Sequence, residues 1–171
     1  MNVFDFAMKM EEDGKAYYEN LAEQSSQPGL KTLFHSLARD EQKHFEIFKQ
    51  LKAGAAVPEM QDSDVIEEAK NIFQTLSDQD KVFKKTEAIL AAYQHAMNLE
   101  SGSVRLYEDA AGKEENQAIR ELLMRLATEE RKHFEILANI YHFVNAPNEY
   151  LAWGEFSNLD EYSQFGRDID D

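Results

Sequence analysis

Four long amphipathic stretches, a repeat of the first half of the chain in the second, and one extended connection between the halves predict an all-α protein. The architecture expected is a four-helix bundle made of two helical hairpins with one long crossover. Glycine and proline punctuate the sequence at Ser26-Gln27-Pro28-Gly29, from Gly54 to Pro58, near Gly112 and at Pro147. Both residues disfavour helix interiors, whereas the stretches between them are rich in the strong helix formers Ala, Leu, Glu, Lys and Met.

In the first stretch Phe4, Ala7, Glu11, Gly14, Tyr18, Leu21 and Ser25 recur at alternating steps of three and four, which places them on one helix face. Leu30, Leu33, Leu37, Glu41, His44, Phe48 and Leu51 form the same stripe in the second. A connection over 54–81 follows, too long for a turn and containing a short helix from about Ser63 to Leu76. The third stretch carries Ile89, Tyr93, Ala96, Glu100, Ser103, Tyr107 and Ala110, and the fourth Ile119, Leu122, Leu126, Glu130, His133, Leu137 and Ile140. Residues 1–147 are read as one bundle domain. The tail, 148–171, contains the aromatic run Tyr150-Leu151-Ala152-Trp153-Gly154-Glu155-Phe156 and is expected to pack on the bundle or on a second subunit.

The two halves are related by an offset of 89 residues, the separation of Glu41 from Glu130. At this offset the segment Leu37 to Phe48 overlays Leu126 to Leu137 with eight of twelve positions identical. The same offset pairs Glu11 with Glu100, Tyr18 with Tyr107, Glu19 with Glu108 and Ala22 with Ala111. The midpoint of Glu11 and Glu41 is Ser26, in the first turn, and that of Glu100 and Glu130 is Glu115, beside the second. In an antiparallel hairpin, equal distance from the turn means equal height. Each pair of glutamates is therefore level, about 22 Å from its turn at 1.5 Å per residue. Two such hairpins joined by one long crossover form the ferritin-like arrangement, with a pseudo-twofold axis between them.

Composition narrows the chemistry. A 43% hydrophobic chain of 171 residues can bury one core. Its net charge of -15 disfavours nucleic acid and anionic lipid, because neutralising phosphates takes clustered Lys and Arg. The absence of cysteine excludes disulfides, thiolate zinc sites and iron–sulfur clusters. No apolar run reaches membrane-spanning length and the N-terminus lacks the pattern of a leader, so the expected address is cytoplasmic.

Four inward glutamates are the anomaly, since Glu is rarely buried unless it is paired or bound to metal. Glu41-x-x-His44 and Glu130-x-x-His133 each set a carboxylate and an imidazole one turn apart on one face. Two such motifs, each with a level Glu on the preceding helix, make the ligand set of binuclear carboxylate bundles. Four carboxylates also balance two divalent cations. The expected site holds two Fe ions, with Mn or Zn as other occupants, through Glu11, Glu41, His44, Glu100, Glu130 and His133. Glu41 and Glu130 are assigned as bridges, Glu11 and His44 to one metal, and Glu100 and His133 to the other.

Glu11 with Tyr18, Glu41-x-x-His44, Glu100 with Tyr107, and Glu130-x-x-His133 resemble the ferritin-like domain of rubrerythrins over roughly residues 3–144. The resemblance implies a di-iron site, oxidised preferentially by hydrogen peroxide and re-reduced by an electron-transfer partner. A fused rubredoxin often serves family members as that partner. This cysteine-free chain would take electrons from a separate protein. One position departs from the family pattern: rubrerythrins usually carry a further inward Glu one turn after the residue equivalent to Glu100, and here it is Ser103. That Glu contributes to a redox-linked shift of one iron.

Two roles are open to Tyr18 and Tyr107, as hydrogen-bond donors to liganding carboxylates or as ordinary core tyrosines. Asp40 and Glu129 either accept the free ring N–H of the histidine on the opposite hairpin or face solvent. Glu12, Glu46 and Glu135 fall off the stripes and are expected to be exposed. His35, His95 and His142 lack the Glu-x-x-His context and are expected not to be ligands. The leading function is peroxide reduction by a di-iron enzyme. Ferrous oxidation and iron handling, with dioxygen as oxidant, is the second, and a redox-inert metal-binding structural protein the third. A homodimer is also expected.

Overall fold

The computed structural model describes residues 2–75 and 87–145. Among them the chain is all-α. Helix α1 spans Val3–Gln24, α2 Pro28–Lys52, α3 Val65–Thr75, α4 Glu87–Lys113 and α5 Gln117–Asn145. The expected crossover helix is therefore present, starting two residues later than Ser63. Residues 76–81 of the connection and the tail 148–171 lie outside the described residues.

Local chemistry sets the helix ends. Asn2 caps α1, its side chain accepting from the Phe4 N–H at 2.9 Å. Gln27 does the same for α2 by accepting from the Leu30 N–H at 2.8 Å, with Pro28 at the first helical position, where its missing N–H costs nothing. After α2 the chain turns at Gly54, whose φ of 69° is left-handed backbone that favours glycine. The Asn116 Oδ1 accepts from the N–H groups of Ala118 and Ile119 at 3.0 and 3.2 Å, opening α5.

Helix α1 pairs with α2, and α4 with α5, as two hairpins, and α3 packs across α2 and α5. Two apolar clusters divide the interior. One gathers Leu21 and Leu30, beside the α1–α2 turn, with Tyr93 near the start of α4 and Ile140 near the end of α5. The other gathers Ala7 and Leu51 with Ala111 and Leu122, beside the α4–α5 turn. The turns thus lie at opposite ends, so the hairpins run antiparallel to one another. Each fully buried Leu or Phe contributes roughly 1.5–3 kcal/mol. Neither cluster contains Glu11, Glu41, Glu100 or Glu130, which form a polar layer between them.

The crossover is tied down on both sides. Arg125 on α5 donates to the Met60 carbonyl at 2.6 Å and to Asp62 Oδ1 at 2.9 Å. The Ser63 hydroxyl accepts from the Val65 N–H at 3.2 Å, opening α3, and donates to Asp40 Oδ2 on α2. Phe73 meets Phe143 edge to face with ring centroids 5.5 Å apart.

Candidate metal centre

The four stripes converge at mid-bundle. Glu11 comes from α1, Glu41 and His44 from α2, Glu100 from α4, and Glu130 and His133 from α5; none of the six is more than 4% exposed. Their ligand-type atoms form two interlocked sets: Glu11, Glu41, His44 and Glu130, and Glu41, Glu100, Glu130 and His133, the atoms of each lying within 4.8 Å of one another. Glu41 and Glu130 belong to both. Glu11 and His44 fall in one set, and Glu100 and His133 in the other.

Both imidazoles turn Nδ1 into the carboxylate layer. His44 Nδ1 lies 2.9 Å from Glu130 Oε1 and 3.6 Å from Glu11 Oε2. His133 Nδ1 lies 2.9 Å from Glu41 Oε1, 3.3 Å from Glu130 Oε2 and 3.5 Å from Glu100 Oε1. The rings are nearly parallel, centroids 5.7 Å apart at 14°. Glu11 Oε2, Glu41 Oε1, Glu130 Oε2 and His133 Nδ1 are buried with no well-formed hydrogen bond, only these close contacts with one another and with His44. Unpartnered buried acceptors are costly. These atoms face a common centre, the arrangement that a pair of cations satisfies, and hard oxygen with imidazole nitrogen suits iron, manganese or zinc.

The backbone makes room for this layer at Gly14. A Cβ there would stand 2.6 Å from Glu41 Oε2, so the missing side chain is the space the Glu41 carboxylate occupies. The repeat mate of Gly14 is Ser103, buried on α4.

The surrounding groups are partly those expected. The Tyr18 hydroxyl donates to Glu100 Oε1 and the Tyr107 hydroxyl to Glu11 Oε1, each reaching the glutamate of the opposite hairpin. Asp40 accepts from the His133 Nε2–H at 3.2 Å, as the cross-hairpin reading anticipates. Glu129 is different. It is buried, and its Oε1 accepts from Lys132 Nζ at 2.8 Å as Asp40 Oδ1 does from Lys43 Nζ at 3.3 Å, but among the described residues no hydrogen bond joins it to His44. It stands instead with Asp40 beside His133. The crossover distinguishes the two acids: α3 packs on α2 and α5, and the Ser63 hydroxyl donates to Asp40. Neither acid faces solvent. The sequence marks Ser63 only as the approximate start of the crossover helix, with no sign of its bond to Asp40.

His35, His95 and His142 are exposed, outside the layer, with His95 tilted at 55° against Tyr17, ring centroids 5.0 Å apart. Glu12 is exposed as expected. Glu46 and Glu135 are half-buried rather than exposed, Glu46 accepting from Gln42 Nε2 at 3.0 Å.

Electrostatics follow from crowding. Burial, and then the charges of Glu130, Glu100 and Glu11, push Glu41 well above the usual carboxylate range. Glu130 is pushed up to about 8 by burial and by Glu11. Burial alone would depress both histidines, but neighbouring carboxylates prevail: Glu130 and Glu11 raise His44, and Glu100 raises His133. Burial would raise Asp40 too, yet the hydrogen bond and charge of His133 hold it below its ordinary value. Burial and an adjacent carboxylate raise Tyr18 and Tyr107 well above the phenol range, so both hydroxyls keep their protons.

The family model described as Rubrerythrin matches residues 2–141. No curated protein and no solved structure matches the chain.

Proposed function

Since the chain belongs to the rubrerythrin family, we propose that it is a di-iron carboxylate enzyme that reduces hydrogen peroxide with electrons from a separate redox protein. The observation that supports this most is the pair of interlocked ligand sets sharing Glu41 and Glu130. Two ferrous ions bound there would supply one electron each, which with two protons is the requirement for converting one peroxide to two waters.

The residues of the chain do the rest. Glu11, Glu41, Glu100 and Glu130 bring four negative charges, which two divalent cations neutralise. Glu41 and Glu130, common to both sets, would help hold both ions, Glu11 and His44 one of them, and Glu100 and His133 the other. Tyr107 holds Glu11 Oε1 and leaves Oε2 free to face inward. Asp40 keeps the His133 proton on Nε2 and so frees the Nδ1 lone pair, the usual division of labour in a metal-bound histidine. The apolar clusters on either side of the layer limit bulk water. Ser103 adds only a short hydroxyl beside this set, which lies outside the six residues that would hold the ions.

A second reading, ferrous oxidation and iron handling, draws on the carboxylate-lined cavity that leads to Glu11 and Glu41. Rapid mixing of the anaerobically prepared ferrous protein with peroxide and with dioxygen separates the two. Peroxide reduction requires much faster oxidation by peroxide, with iron retained. Comparable rates and release of ferric ion would overturn it in favour of the second reading. Stoichiometric zinc without iron after native-like expression would favour a redox-inert structural role. No helix among the described residues is long and apolar enough to cross a membrane.

A further inference from the structure

We propose that the groove between α1 and α2 is the port by which divalent cations enter the buried site, and that Arg131 shuts the equivalent groove between α4 and α5. The inference rests on the di-metal reading of the site. A cavity of about 270 Å³ opens between α1 and α2, and its lining includes Glu11 and Glu41 themselves. At roughly 30 Å³ per water, it has room for several. Glu12 and Glu19 add acidic wall, and the rim is crossed only by a hydrogen bond of 2.9 Å from Lys15 Nζ to Gln42 Oε1. Carboxylates outnumber the single lysine, so the passage favours cations.

The internal repeat provides the comparison. At the offset of 89 residues, Gln42 corresponds to Arg131, Lys15 to Val104, Glu12 to Ser101 and Glu19 to Glu108. Three of these four positions are exchanged, and Ser101, Val104 and Glu108 on the second side are each more buried than their mates. The Arg131 side chain is 11% exposed and its guanidinium is paired with Glu108 across α4 and α5. Val104 and Ser101 are buried, whereas the Lys15 side chain is 37% exposed and Glu12 open to solvent. A cation approaching Glu100 and Glu130 from that side would meet a fixed positive charge in place of a neutral amide.

A larger cavity, about 610 Å³, lies between α2 and the crossover, but it is not an equivalent route. Its floor is Asp40, Glu129 and His44, and none of the four central glutamates lines it. An ion entering there would have to pass the imidazoles.

The test is Co(II) uptake by the metal-free full chain, followed through the visible absorbance of the bound ion in stopped flow. Gln42→Arg and the neutral Gln42→Phe are expected to slow both entry and release at least tenfold, leaving two ions per chain and an unchanged equilibrium affinity. Arg131→Gln is expected to speed both, a direction that general damage to the fold does not produce. Wild-type rates in Gln42→Phe would overturn the port, as would slowing confined to Gln42→Arg, which signals charge repulsion, or slowing that merely tracks lost affinity. An unchanged rate in Arg131→Gln would overturn the assigned role of Arg131. A wild-type chain that takes up no Co(II) would overturn the di-metal reading itself, and the port with it.

Discussion

The Tyr18 hydroxyl on α1 donates its proton to Glu100 Oε1 on α4, so a residue of one hairpin holds a central glutamate of the other. Tyr107 returns the same contact to Glu11. The two bonds cross the bundle and tie the hairpins together through the polar layer. Tyr18→Phe keeps the ring and removes the bond, leaving a buried carboxylate short of a donor. The expected cost is about 1.5–3 kcal/mol for a hydrogen bond to a charged group. Chemical denaturation of the metal-free protein measures it, and the double variant with Tyr107→Phe is expected to cost more than either change alone.

The metal-free protein is expected to lose stability as pH rises from the ordinary carboxylate range to about 8 and beyond. Glu41, Glu130, His44 and His133 all hold their protons more tightly folded than unfolded. Their contribution is therefore full below their ordinary values and is lost as pH climbs toward the folded ones, which for Glu130 is about 8. Asp40 and Glu100 are shifted the other way, so what they contribute is lost in acid, as pH falls below the ordinary carboxylate range. Thermal melts across this range check the prediction. Loading at neutral pH should release protons, measurable with an indicator dye, and the fall with rising pH should vanish in the loaded protein.

Glu41→Gln combined with Glu130→Gln should separate stability from binding. Glutamine fixes both positions in the neutral form that the buried layer favours, so the metal-free variant is expected to escape the loss of stability that the parent suffers as pH climbs to 8. Bound metal should fall from two ions per chain to less than one, because both sets lose their shared carboxylates. Calorimetry and elemental analysis read the two effects. A variant that still loads two ions would contradict the bridging assignment.

Gly14→Ala is expected to weaken metal binding at least tenfold while barely altering the stability of the metal-free chain. Alanine favours a helix interior by about 1 kcal/mol over glycine, but its Cβ would displace the Glu41 carboxylate. Gly112→Ala is the control. It lies in α4 with nothing within 4 Å of the added carbon, so it should gain up to about 1 kcal/mol and leave binding untouched. Equilibrium Co(II) titration distinguishes them.

Much of the layer was legible before any coordinates, because helical periodicity states which residues share a face and equal distance from a turn states which share a height. Glu11, Glu41, Glu100 and Glu130 follow from those two rules, and His44 and His133 from the spacing to their glutamates. Periodicity says nothing about which neighbour a side chain meets across the bundle. Tyr18 sits on the face of Glu11 yet bonds to Glu100, a choice made by how the hairpins are set against each other. Gly14 reads as a small residue in a stripe; its meaning is a distance to Glu41.

What the sequence determined by itself was a symmetric object: two hairpins, four level carboxylates and two imidazoles, all related by one offset. Tertiary structure decided where that symmetry breaks. The crossover joins the hairpins once and lies on α2 and α5, so Ser63 reaches Asp40, and Asp40 bonds His133 while among the described residues no hydrogen bond joins Glu129 to His44. Side-chain packing likewise fills the α4–α5 groove with Arg131 and leaves the α1–α2 groove open at Gln42. A repeat specifies like positions, but burial and charge pairing depend on what covers each one, and a chain with a single crossover cannot cover both halves alike.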